Sequence, residues 1–407
     1  MSSWGPVSKS QLVNPDWIQS LNEILPPTDH FPTHLWSIID NLRKGIPLNK
    51  EQGLSLYNLQ DLNLLGYLAN SVKVARYGKS VFFNSNLHVN HTNICRLACK
   101  FCAFRRGSKA KDAYSLSIAE YIERIRPFQN SIDEVHTVGG LHPDWGVEHY
   151  EELYLATKTE FPHIHIKSLT AVEVQHIATI SNISITATLD RLREAGLDSL
   201  PGGGAEILND DIRDIICKGK ESSQEYLDIH CAAHRLGIQT NCTMLFGTVE
   251  SPEHRIEHLI SLRSLQQETN GFQCFVPYPY LPDNSRLPEA QLSSTSEILR
   301  MIALSRLMLN NIPHIKAYRM NFGDSNAFLA LNYGADDVDG TVGHEEIMHE
   351  AGSTTHLSDD RTSLAQSIID EDLVPIQRNS LYSNFKKYID DDDDNSGVNL
   401  PMARLEV

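Results

Sequence analysis

The chain has 407 residues, 41% of them hydrophobic and 21% charged, and 35 Lys and Arg against 52 Asp and Glu give a net charge of −17. That balance excludes a mainly disordered, collagen-like or small disulfide-stapled chain, and the excess of acid argues against a broad nucleic-acid surface. No apolar run approaches the roughly 18 residues of a membrane span, and the N-terminus lacks a basic segment followed by an apolar stretch, so a cytoplasmic protein is expected.

Residues 1 to about 45 carry five prolines between short apolar patches and read as an irregular N-terminal wrap. From Lys50 to Val74, Leu54, Leu56, Leu59, Leu62, Leu65, Leu68 and Val72 recur at roughly three- and four-residue steps, the pattern of an amphipathic helix or helix pair. From about residue 81, β-rich runs alternate with helical patterns. Strands are expected at Asn86 to His91, Glu134 to Val138, Ile164 to Thr170, Ser199 to Pro201, Gln239 to Phe246, Phe272 to Pro277, Ile315 to Met320 and Asp336 to Asp339. Helices are expected at Ile118 to Phe128, Tyr150 to Glu160, Ile185 to Ala195, Ser223 to Leu236, Ser251 to Gln267 and Thr295 to Leu309. Eight alternations over roughly 260 residues match an α/β fold of the (β/α)8 TIM-barrel type, with an open doubly wound sheet as the alternative. The organisation expected is an irregular and helical extension over residues 1–80, a barrel over 81–350, a C-terminal extension over 351–389 packed on the barrel, and a disordered tail over 390–407 that opens with the run Asp390 to Asp394.

Seven cysteines are an odd number, and Cys95, Cys99 and Cys102 fall within eight positions directly after the first expected barrel strand. This spacing argues for a metal or redox site rather than a disulfide framework. Thiolates suit zinc or an iron–sulfur cluster. No second CxxC exists to close a four-ligand zinc site, whereas three cysteines on one loop suit a cubane cluster with one iron left open. A zinc site with His91 as fourth ligand is the alternative.

The CxxxCxxC spacing, with the aromatic Phe101 before the last cysteine, resembles the signature of the radical S-adenosylmethionine enzymes. That resemblance implies a radical SAM barrel, a [4Fe-4S] cluster whose open iron chelates S-adenosylmethionine, and a flavodoxin- or ferredoxin-type electron donor. The wider text, His88-Val-Asn90-His-Thr92-Asn93-Ile-Cys95 running into Cys102-Ala103-Phe104, is similar to the subgroup that makes menaquinone precursors through futalosine and the deazaflavin of coenzyme F420. Within it, blocks such as Val138 to Asp144, Glu194 to Glu206 and Tyr333 to Val342 most resemble the aminofutalosine synthases. The resemblance implies a small aromatic carboxylate substrate, 3-[(1-carboxyvinyl)oxy]benzoate, to whose double bond the 5′-deoxyadenosyl radical adds. The products would be 6-amino-6-deoxyfutalosine, methionine and bicarbonate, on a route to menaquinone. Related cyclase or deazaflavin-synthase chemistry is the alternative. After Lys316-Ala-Tyr318 the family usually continues with a tryptophan, whereas this chain has Arg319.

In a barrel the functional face lies where strands end. Gly139 and Gly140 end the second expected strand, where missing side chains admit a ligand or a tight turn; in the wider family this position meets the methionine moiety. His142, beside them, is the candidate proton donor or carboxylate ligand, with a turn histidine fixed by Pro143 and Asp144 as the plain alternative. Glu173 is a candidate acceptor for a ribose or amino group, or a helix-start carboxylate. Gly203, in the Gly202 to Gly204 run, and Glu206 are expected to line the adenosyl pocket. Phe104 is expected beside adenine, or in the core. Lys167, Arg319 and His142 are the candidate partners for substrate carboxylates.

Overall fold

The computed structural model describes residues 3–290, 292–343, 345–357 and 361–389, so the expected acidic tail lies outside the described residues. Eleven strands form one sheet. They are β1 (Ser3–Val7), β2 (Ser80–His88), β3 (Glu134–Thr137), β4 (His165–Ser168), β5 (Ser199–Leu200), β6 (Gln239–Phe246), β7 (Phe272–Pro279), β8 (His314–Ala317), β9 (Asp337–Thr341), β10 (Val374–Arg378) and β11 (Phe385–Ile389). Strands β2 to β9 pair in chain order, every pair parallel, and β9 closes on β2 through the register Phe82 to Asp337 up to Asn86 to Thr341. The chain is a closed eight-stranded α/β barrel of TIM type.

Helices return the chain between these strands, and their ends are written locally. Ser117 and Glu120 form a capping box ahead of Ile118–Ile125, as do Ser222 and Glu225 ahead of Ser223–Arg235. The helix Ile185–Ala195 begins with the Ser184 hydroxyl accepting from the Ala187 N–H at 3.1 Å. It ends at Gly196, whose φ of 118° favours a residue without a Cβ. The helix Leu62–Tyr77, carrying the N-terminal leucine pattern, packs against the helix Thr295–Met308 on the outside of the barrel.

Along β2 the two faces diverge. Val81, Phe83 and Leu87 join the apolar layer between barrel and helices, whereas Phe82 packs inward with Cys274, Val276 and Tyr382. The interior is strongly ionic towards its floor. Lys167 Nζ lies 2.7 Å from Glu134, and Lys316 Nζ lies 2.9 Å from Asp337. Asp337 also accepts two hydrogen bonds from the Arg378 guanidinium of β10, at 2.6 and 2.9 Å, and one from the Tyr382 hydroxyl at 2.8 Å. The C-terminal extension thus plugs the floor, leaving the mouth open for function.

Three expectations change. The first barrel strand starts at Ser80 rather than Asn86, because both faces of Ser80–His88 are buried and the run carries no polar–apolar alternation to read. Residues 3–7, expected as irregular, are a strand antiparallel to β11; a pairing between opposite ends of the chain leaves no local trace. The expected strand Ile315 to Met320 stops at Ala317, and Arg319–Phe322 forms one helical turn.

Candidate active site

The loop from His91 to Ser115 leaves the end of β2 and carries all three motif cysteines. It is held by backbone. Cys95 N–H donates to the Arg106 carbonyl at 3.0 Å, Lys100 N–H to Ile216 at 2.7 Å, and Arg96 N–H to Leu141 at 3.1 Å. The Arg286 guanidinium donates to the carbonyls of Ala98 and Cys99 at 2.7 and 3.1 Å, and Arg105 to that of Cys95 at 3.1 Å. These contacts fix the loop's backbone at the barrel mouth, where Cys102 lines a cavity; Cys95 and Cys99 are not among its lining residues.

All three thiols are free. Burial pushes the Cys99 thiol up to about 12 and raises that of Cys102, so either thiolate needs a strong positive neighbour such as a bound metal. Among the described residues no three Cys, His, Asp or Glu side chains converge around a single ion. His91, the alternative fourth ligand, has its Nε2 3.2 Å from the Tyr150 hydroxyl and its ring stacked on Trp145 at 5.5 Å, while its buried Nδ1 has no hydrogen-bond partner among the described residues; it joins no group of three metal-ligating side chains there. Three cysteines on one loop, with no fourth protein ligand grouped with them among the described residues, fit a cluster having one open iron.

Cys102 opens onto a cavity of about 210 Å³ at the barrel mouth. One wall is Phe101, Cys102 and Ala103 of the loop, and another is Gly203, Gly204 and Glu206 after β5. Glu206 holds a left-handed backbone, φ 46°, and its carboxylate pairs with Lys220, whose ammonium lies 5.7 Å from the centre of the Phe101 ring. The far wall is aromatic: Tyr278 and Tyr318 meet edge to face at 5.3 Å. Asn321, Glu345, Ile347 and Met348 close the top. Glu345 accepts from the backbone N–H groups of Ile347, Met348 and His349 and so shapes that top. His88 and His136 also reach the cavity, their rings stacked at 4.3 Å.

Of the residues singled out from sequence, Phe101, Cys102, Gly203 and Glu206 share this cavity. His142, Phe104, Gly139, Gly140 and Glu173 are not among its lining residues. His142 stacks on Trp145 at 4.3 Å, and its Nδ1 accepts from the Asp144 N–H at 3.3 Å, the arrangement of a turn histidine. Phe104 packs edge to face on Tyr114 at 6.4 Å. A Cβ on Gly140 would lie 2.2 Å from the Ile94 carbonyl oxygen, and one on Gly139 would lie 2.8 Å from that of Thr92. The close approach these glycines permit is to the cysteine loop.

Glu173 belongs to the first turn of the helix Ala171–Ser181, which is not among the expected helices. Its Oε2 accepts from the backbone and hydroxyl of Thr170, each at 2.7 Å, and its Oε1 from the Gly139 N–H at 3.0 Å. Burial raises its carboxyl to about 7 against those hydrogen bonds. The pattern Thr170-Ala-Val-Glu173 is a capping box and was the signal for that helix. The candidate cations are also committed elsewhere, Lys167 to Glu134 and Arg319 to Asp324 at 2.7 Å each. His88 and Tyr318 stand in blocks that carry the family resemblance but were given no role there, and His136, Asn321 and Glu345 carried no local motif; only the closure of the barrel brings the five together.

Comparison with known proteins agrees with this geometry. Residues 89–262 match the radical SAM superfamily, and residues 269–390 match the CofH/MqnC C-terminal region. Aminodeoxyfutalosine synthase of Streptomyces coelicolor is 38% identical over 361 residues, 85% of this chain and 93% of that protein. Cyclic dehypoxanthine futalosine synthase of the same organism is 38% identical over 355 residues, 86% and 88% of the two chains. The 5-amino-6-(D-ribitylamino)uracil–L-tyrosine 4-hydroxyphenyl transferase of Methanothermobacter thermautotrophicus is 35% identical, over 83% and 94%. Among solved structures, the FeFe-hydrogenase maturase HydG from Carboxydothermus hydrogenoformans superposes with a TM-score of 0.68 at 18% identity, over 90% and 86%, a likeness of fold.

Proposed function

The chain belongs to the radical S-adenosylmethionine superfamily, and on that premise we propose that it is a transferase joining the 5′-deoxyadenosyl group to 3-[(1-carboxyvinyl)oxy]benzoate. The products are 6-amino-6-deoxyfutalosine, methionine and bicarbonate, placing the enzyme on the futalosine route to menaquinone. One observation carries the reading: a single small cavity is shared by the cysteine loop, the Gly203 to Glu206 turn and an aromatic wall of Tyr278 and Tyr318. The similarity to aminodeoxyfutalosine synthases over most of both chains supports the choice of reaction.

When bound, the [4Fe-4S] cluster and S-adenosylmethionine supply a 5′-deoxyadenosyl radical. Cys95, Cys99 and Cys102 hold the cluster. Gly203 and Gly204 line the wall that takes the adenosyl group, with Glu206 fixed beside it by Lys220. Tyr278 and Tyr318 hold the aromatic ring of the second substrate, and Ile347 and Met348 keep water from the cavity. Gly140 and Glu173 act at one remove, by seating the cysteine loop.

Electrons arrive at the loop from outside. Residues 95–112 carry six Lys and Arg against one Asp in a chain of net charge −17. Arg96, Lys100, Lys218 and Arg286 are exposed around the cysteines. This basic rim suits an acidic flavodoxin or ferredoxin. Raising ionic strength is expected to slow reduction by flavodoxin and to leave reduction by dithionite unchanged.

The deciding experiment is anaerobic reconstitution with iron and sulfide, then mass spectrometry of a dithionite reaction containing S-adenosylmethionine and the enol-ether benzoate. Aminodeoxyfutalosine and methionine are expected, with activity abolished in Cys95→Ala. The equal identity to a cyclic dehypoxanthine futalosine synthase favours one second reading, a cyclase. Release of 5′-deoxyadenosine with no adduct would overturn the transferase reading and point to the cyclase or to a different acceptor.

A further inference from the structure

His88 is 4% exposed, at the end of β2, and neither ring nitrogen has a hydrogen-bond partner among the described residues. An imidazole buried without partners gives up its hydration with no hydrogen bond in return, a cost a protein sustains where a ligand or ordered water completes the site. The ring is not a loose core filler. It stacks on His136 at 4.3 Å with the planes 13° apart, in the parallel register that sets the two residues side by side, and both line the cavity beside Cys102.

The surroundings narrow what the missing partner can be. The charged groups facing this pair are Glu134, Lys316 and Glu345, with Lys167 behind His136. Both lysines are neutralised, Lys167 by Glu134 and Lys316 by Asp337, and Glu345 spends its carboxylate on backbone N–H groups. Burial pushes the His88 imidazole down to about 3 and that of His136 to about 4, so both rings are neutral near pH 7 and present N–H groups, not charge. No Lys or Arg lines the cavity among the described residues. A ligand carrying carboxylates must therefore be met by neutral donors, and His88 is a buried one on the cavity wall whose ring nitrogens have no partner among the described residues.

We propose that His88 donates a hydrogen bond to a carboxylate of the second substrate, held at its angle by the stack on His136. This rests on the functional reading above. It makes His88 a binding residue for the anionic aromatic substrate and leaves S-adenosylmethionine to the other wall.

The test uses reconstituted enzyme and two variants. His88→Phe keeps the ring and the stack but removes both nitrogens; His88→Gln keeps a donor and serves if the phenylalanine variant is poorly folded. Affinity for the enol-ether benzoate is measured by titration calorimetry in the presence of S-adenosylmethionine, alongside each mono-amide of the substrate, which removes one carboxylate charge at a time. Expected for His88→Phe is a tenfold to hundredfold weaker Kd for the diacid, the scale of a hydrogen bond to a charged group. S-adenosylmethionine affinity and the cluster spectrum should be unchanged, and His88→Gln should recover most of the loss. In the wild type one mono-amide should bind as weakly as the diacid binds to His88→Phe, identifying which carboxylate is met. Diacid affinity in His88→Phe within twofold of wild type overturns the proposal, as does an equal loss of S-adenosylmethionine binding. Failure of the wild type itself to bind the diacid would instead bring down the functional reading, and this inference with it.

Discussion

At Gly140 a hydrogen atom stands where any other residue would place carbon 2.2 Å from the Ile94 carbonyl oxygen and 3.0 Å from the Cys95 Cβ. Both are parts of the loop that presents the thiols, and the nearer is backbone, which moves only by dragging the loop. Gly140→Ala is therefore expected to cost about 1–3 kcal/mol of stability and to lower iron bound per chain after reconstitution, read by denaturant melts and iron assay. Full iron loading with native stability would show that the loop is not seated by this contact. The cysteines were legible from sequence because cluster ligation demands a residue type at a spacing, and a spacing is local. His142 shows the opposite case: its position beside two glycines drew attention, yet the Trp145 stack and the Asp144 N–H account for its surroundings. The direction in which a side chain leaves a turn depends on the turn's own torsions, which residue type alone does not specify.

At the scale of one element, the segment from Glu345 to Ala351 closes the cavity and is fastened at several points. Glu350 meets Arg106 at 3.1 Å, Glu346 accepts from the Tyr114 hydroxyl, and the Asn321 amide reaches Met348 Sδ at 3.3 Å. His349 contributes a pH-dependent tie, since the Glu345 carboxylate at 3.2 Å and the Thr355 carbonyl at 3.0 Å raise its imidazole from 6.5 to about 9. The folded value lies above the unfolded one, so this stabilisation is complete below about pH 6.5 and is lost as pH rises through about 9. Proteolysis within residues 345–352 is expected to accelerate across that window in the wild type, and His349→Gln should flatten the dependence. Helix starts were written in local code, as Ser117 with Glu120 and Ser222 with Glu225 show. This closing segment had no such code: Glu345 is a cap whose value comes from the cavity it shapes.

For the whole molecule, the decisive unit is the buried group of Asp337, Lys316 and Arg378, drawn from β9, β8 and the C-terminal strand β10. Arg378→Met would leave Asp337 with only Lys316 and Tyr382 in a dry interior, and a loss of about 3–5 kcal/mol is expected, measured by thermal or denaturant unfolding. A change below about 1 kcal/mol would mean that water or Lys316 replaces the guanidinium. The alternation of strands and helices, the parallel barrel and the cysteine loop were determined by the sequence alone, because period, caps and ligand spacing act over a few residues. The floor plug, the β1–β11 pairing, the commitment of Arg319 to Asp324 and the meeting of His88 with His136 were decided only by tertiary structure. The Arg319–Asp324 pair spans five residues and follows from the helical turn that stops β8; the others join residues tens to hundreds of positions apart in the chain, where burial and charge pairing are set by distant neighbours.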